Sequence, residues 1–149
     1  MKKIFKILAL AFIVIQFFQI DKTNPPVDEN QDFLKIHNPS PELAAKIKAS
    51  CYDCHSNESS YPWYTNIQPV GWWVKNHIEE GKHHLNFSEF GTYSAKRQSH
   101  KMEECYELIE EDEMPLKSYT IAHKDAILDD ATKEQLIAYF KEMESKLKE

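Results

Sequence analysis

Apolar residues crowd the start of the chain, then return at helical spacing through its remaining length. An apolar run from Ile7 to Ile20, broken only by Gln16 and Gln19, follows a short basic head of Lys2, Lys3 and Lys6. Such a run predicts either a signal peptide or a single membrane anchor over residues 1–20. Residues 21–39 read as a polar linker, stiffened by Pro25-Pro26. Ser40-Pro41 then supplies a hydroxyl N-cap and a proline at the first helical position. Leu43, Ile47 and Cys51 follow at four-residue steps, so the first domain helix has one apolar face that ends on a thiol. Pro69 opens a second helix, with Gly81 as its expected C-cap, and Asn86-Phe87-Ser88 reads as a connector. A third helix is expected from about Ser94 to Asp112, with Met102, Cys105, Leu108 and Ile109 on one face. Its other face is acidic, with Glu103, Glu104, Glu107, Glu110 and Glu111. Asp130 or Thr132 can cap a last helix striped by Leu136, Ile137, Phe140, Met143 and Leu147. The pattern predicts an all-α domain over residues 40–149.

Composition narrows this further. A formal net charge of −6 argues against nucleic acid, which requires a basic stripe. The apolar run ends in the bulky Phe17-Phe18-Gln19-Ile20, with no small-x-small cleavage pattern. An uncleaved anchor with its basic head inside is therefore preferred, placing the domain on the periplasmic side of the inner membrane. A cleaved signal, leaving a soluble periplasmic protein, is the alternative.

The chemistry lies in Cys51-Tyr52-Asp53-Cys54-His55. Two thiols at this spacing can add across the two vinyl groups of a haem, and the following histidine can ligate the iron. Two other chemistries use similar residues. A redox dithiol shares the CxxC but belongs at a strand end in a βαβ unit, and no strand pattern precedes Cys51. A structural zinc site needs four ligands, and neither Cys105 nor His83-His84 forms the second pair.

A second axial ligand decides whether the iron is closed or open. Met114 is the candidate, because Pro115 pushes it out of helical geometry and presents its thioether from a loop. Its competing role is that of a gap-filler at a helix stop. His77, His83, His84, His100 and His123 are rival ligands, and His123, in the loop after Met114, leads them. The aromatics Trp63, Trp72, Trp73 and Tyr119 could donate to haem propionates or simply pack. The acidic run can steer a basic partner or be a solvated helix face. Cys105 is expected as a buried small hydrophobe, with an intermolecular disulfide as the alternative.

Several blocks occur together and in order: Asn24-Pro25-Pro26-Val27, the cysteine motif with Ser56-Asn57, Tyr61-Pro62-Trp63-Tyr64, Pro69-Val70 with Trp72, Leu85-Asn86-Phe87-Ser88, Met114-Pro115, Tyr119 and His123. With them the chain resembles the haem-binding domain family, cytochrome-c-like proteins of the bacterial cell envelope. Phe140 stands where that family is expected to carry tryptophan, and Leu116 where a second proline is common. The resemblance implies a small cytochrome-c-like helical domain around one covalent haem c, held by Cys51 and Cys54. It implies His55 and Met114 as iron ligands. The expected function is electron transfer with an unidentified redox partner protein. The alternative is a haem-based sensor or peroxidase-like module with a displaceable sixth ligand, for which His123 or His100 could act as acid–base group.

Overall fold

A computed structural model describes residues 1–148, and every regular element among them is helical. Helix α1 spans Lys2–Ile15, α2 Phe33–His37, α3 Pro41–Ile47 and α4 Asp53–His55. Helix α5 spans Val70–His84, α6 Ala95–Glu110, α7 Lys117–Ala122 and α8 Asp130–Lys148. Three short 3₁₀ turns, Trp63–Asn66, Phe87–Thr92 and Lys124–Ala126, complete the chain. Helices α6 and α8 form the most extensive pairing. Met102 and Ile109 of α6 and Leu136, Phe140 and Met143 of α8 are buried, as the apolar periodicity required.

The caps explain where the helices begin. Ser40 Oγ accepts from Leu43 N at 3.3 Å with Pro41 in the first turn, and Ser94 Oγ accepts from Arg97 N at 3.4 Å. For α8 the cap is Asp129 rather than Asp130 or Thr132, its Oδ1 accepting from Thr132 N at 2.8 Å. Helix α6 stops at Asp112, a non-glycine residue in the left-handed region at φ 58°, where Glu113 N and Met114 N both donate to Leu108 O at 3.0 Å. An ion pair from Lys133 of α8 to the Asp112 carboxylate holds this end in place.

Three expectations are corrected. First, the segment taken as linker contains α2, and Phe33 is fully buried among Phe87, Phe90, Tyr139 and Phe140. Asp32 caps α2 by accepting from Leu34 N at 3.0 Å, so a polar stretch carries one deep anchor that composition alone hides. Second, the Asn86-Phe87-Ser88 connector is interior, all three residues being buried. Third, Gly81 lies within α5, which runs on to His84. The N-terminal helix also ends earlier than the apolar run: α1 stops at Ile15 and reaches about 21 Å at 1.5 Å per residue. Among the described residues no helix is long and apolar enough to cross a membrane.

Helix α3 continues into α4 through a wide i→i+5 turn over Lys48–Tyr52. Such turns rephase the side chains that follow. Here Tyr52, not Cys51, is driven into the core. Its ring stacks on Phe87 at 5.3 Å between centroids and 5° between planes, and its hydroxyl donates to the Asp32 carboxylate at 3.1 Å.

Because Phe33 is core, Phe33→Ala should destabilise the domain by about 3–5 kcal/mol in denaturant titration; a true linker residue would cost almost nothing. His37 packs against Phe33 and Phe90 with Nε2 unpartnered, and burial holds its pKa below the usual histidine value. The unfolded chain thus takes up a proton that the folded one resists, so stability falls as pH drops below about 6.5. His37→Leu should flatten that slope, measured as unfolding midpoint between pH 7 and 5.

Candidate functional site

The cysteine motif occupies the end of the α3–α4 segment and is clamped from three sides. Helix α5 lies directly on it: a Cβ added to Gly81 would stand 2.7 Å from the Cys54 carbonyl oxygen. Glycine is needed there for close approach, not for a turn. From behind, Asn57 N donates to Ser88 Oγ at 3.0 Å and Asn86 Nδ2 donates to Asn57 Oδ1 at 3.0 Å. Asn24 Nδ2 donates to Ser59 O at 2.8 Å. Three blocks far apart in sequence thus form one hydrogen-bonded knot beneath His55. From the third side, Tyr119 of α7 donates to Asp53 Oδ2 at 2.7 Å and to Ala49 O at 3.3 Å.

That last contact brings Met114 to the motif. The Met114-Pro115-Leu116 loop runs between the pinned end of α6 and the start of α7, which Tyr119 fastens to Asp53. His55 and Met114 consequently line the same space. One lobe is almost wholly apolar, and holds Cys51, His55, Cys105, Met114, Leu136 and Phe140 on its walls. A second lobe of about 1370 Å³, open to solvent, shares His55 and Met114 and adds Cys54, with Glu80, Glu104, Glu107 and Glu111 around it. All four residues singled out by sequence therefore border one cleft.

The orientation of His55 is set by Leu85, whose carbonyl oxygen accepts from Nδ1 at 3.1 Å. The proton on Nδ1 leaves the Nε2 lone pair free, the arrangement that metal-ligating histidines require. Burial lowers the pKa of His55, keeping the imidazole neutral and able to ligate. The thiols move the other way. Burial, with the neighbouring Cys54 second, pushes Cys51 up to about 12, and burial followed by the Asp53 charge pushes Cys54 up to about 11. A redox dithiol needs a depressed thiol pKa, so the site disfavours that chemistry. Among the described residues no three His, Cys, Asp or Glu side chains are grouped as a metal ion would need.

Of the rival histidines, His123 and His100 lie outside both lobes, while His77 borders the open lobe and His84 borders both. His123 Nε2 is engaged by the Tyr64 hydroxyl at 2.7 Å, its ring stacks on Tyr119 at 4.2 Å, and it lines an adjoining cavity with Cys54, Tyr64 and Trp73. His100 is exposed beside Glu103 and Glu104 on the surface of α6. His77 Nδ1 is paired to Trp73 O at 2.9 Å, while His84 borders both lobes from an exposed position. The tryptophans do not wall the cleft; none lines either lobe. Cys105 is packed against the core beside Cys51 in the apolar lobe, and burial raises its pKa.

A free imidazole nitrogen, an apolar slot and flanking thiols are what a haem asks of a protein. A model described as a haem-binding domain matches residues 10–142. The chain belongs to the haem-binding domain family. No curated protein matches it, and no solved structure does. For this haem-binding domain the residues present fit the group: Cys51 and Cys54 would hold its edge, His55 would face the iron, and the apolar lobe would take the ring. Leu85, Gly81 and Tyr52 were not foreseen as site residues. The Leu-Asn-Phe-Ser block carries the family resemblance, but nothing in its side chains marks the Leu85 carbonyl as the partner of His55.

If the Gly81 approach sets the site, Gly81→Val must push α5 off Cys54. We expect haem incorporation to fall at least several-fold, read as haem absorbance per mole of purified protein. A neighbouring change at exposed Glu79, outside the cleft, should leave it unaltered.

Proposed function

We propose that this haem-binding domain is a monohaem c-type electron carrier of the cell envelope. Cys51 and Cys54 would hold the haem through thioether bonds to its vinyl groups, and His55 and Met114 would ligate its iron. The observation that carries this reading is the shared cleft, with His55 and Met114 both on its walls and a cysteine in each lobe. When bound, the haem supplies a one-electron couple at its iron.

The chain's own residues fix how that couple behaves. Leu85 O holds the proton on His55 Nδ1 and prevents the ring from turning. The Met114 thioether is a soft ligand that favours reduced iron and raises the potential. Phe87, Leu108, Ile109, Leu128, Leu136 and Phe140 exclude water from the apolar lobe and act in the same direction. Around the open lobe Glu80, Glu104, Glu107 and Glu111 favour approach by a basic redox partner. Residues 1–20 are the segment assigned to hold the domain at the inner membrane; α1 within it has no buried side chain, and its 14 residues do not cross a membrane alone. Its basic head faces inward and the domain faces the periplasm.

The oxidised protein should show the weak far-red sulfur-to-iron absorption band, and Met114→Ala should abolish it and lower the midpoint potential. The variant should also bind cyanide readily while the parent resists it. A parent that binds carbon monoxide or cyanide as fast as the variant does would instead support the sensor or peroxidase-like alternative.

A further inference from the structure

The chain's three tryptophans, Trp63, Trp72 and Trp73, fall in one short stretch, and the fold leaves them 74 %, 39 % and 49 % exposed. Ile67 and Val70, between them, are exposed as well. Single apolar side chains on a surface need no explanation, but a run of large ones at the start of one helix does. Nothing in the haem cleft uses it.

The end of α1 is fastened to this stretch. The Gln16 amide pairs reciprocally with the Gln68 backbone, Nε2 donating to the carbonyl at 3.0 Å and Oε1 accepting from the N–H at 2.9 Å. Gln19 Nε2 donates to Asn66 O at 3.2 Å, and Lys22 Nζ donates to Asn66 Oδ1 at 2.5 Å. Trp72 Nε1 donates to Phe18 O at 2.8 Å. Residues 16–22 therefore lie along residues 66–72, where a loose tether would make no such contacts. The two glutamines that interrupt the apolar run are the groups that make the joint. Wherever α1 embeds, the tryptophan stretch is carried to the same surface.

We propose that the Trp63–Trp73 face is a bilayer-docking surface, seated in the headgroup zone beside the point where α1 enters the membrane. This rests on the assignment of α1 as the membrane segment, and adds that the domain is held in one orientation rather than swinging on a leash. Indole suits that zone because its apolar body and N–H edge match the boundary between acyl chains and water. Ile67 and Val70, exposed within the same stretch, add aliphatic surface. Val70 and Trp73 also line the cavity that reaches Cys54, so the docked face lies one cavity wall from the haem-attachment motif.

The test uses the full-length holo-protein in vesicles of phosphatidylcholine and phosphatidylglycerol. Tryptophan emission reports on this face alone, because the chain has no other tryptophan. Lipids brominated near the glycerol carbonyls should quench the emission at least twofold, and more than lipids brominated at the chain ends. Trp63→Asp, at an exposed site, should weaken quenching of the remaining two. Protein that floats with vesicles but is not quenched overturns the docking while leaving α1 as an anchor. Protein that fails to float overturns both. Quenching that appears only at high protein-to-lipid ratio shows a second copy covering the face, and also overturns the proposal.

Discussion

A phenol buried against a carboxylate governs the geometry of this protein. Tyr52 sits between the two cysteines of the motif, stacked on Phe87, with its hydroxyl on Asp32. Burial raises the pKa of both partners, Asp32 carrying the cost of desolvation partly offset by the Tyr52 and backbone donors. A buried carboxylate without such donors would be strongly unfavourable. The contact therefore demands that α2, the motif and the Phe87 turn arrive together. Once Tyr52 is inside, Cys51, Cys54 and His55 are left to border the cleft.

The second constraint is contact between α5 and the motif through Gly81. It allows the chain after α5 to place the Leu85 carbonyl under His55, and Asn86 and Ser88 against Asn57. Polar side chains in this knot satisfy one another where water is excluded, and each hydrogen bond also fixes a backbone direction. His55 is held by helix packing and buried amides, the arrangement that keeps a ligand atom in place, while Met114 comes from a loop pinned at both ends. Stability and function are consequently coupled: the residues that hold the fold together also aim the imidazole.

Polarity divides the molecule by task. The cleft's inner lobe is apolar, its outer lobe carries glutamates, and no tryptophan lines either lobe. The proposed electron carrier would use these separately: a dry interior for the cofactor, a charged approach for a partner, and an amphipathic surface for the membrane. The acidic residues of α6 that periodicity assigned to a solvated face therefore gain a place at the mouth of the cleft, through Glu104, Glu107 and Glu111.

Local sequence settled the helical class, the cap at Ser40, the start of α6 near Ser94, the stripes of α6 and α8, and the residues of the motif. Each depends on spacing along a few turns, which is visible in one dimension. It could not reveal that Phe33 in a polar stretch is core, that Gly81 is a contact rather than a stop, or that Leu85 supplies an acceptor through its backbone. Those roles depend on what arrives from elsewhere in the chain, and a backbone carbonyl carries no residue signature. The meeting of Met114 with His55 belongs to the same class. Proline could announce a loop at 115, but only the Tyr119–Asp53 hydrogen bond and the Asp112–Lys133 pair decide where that loop lies.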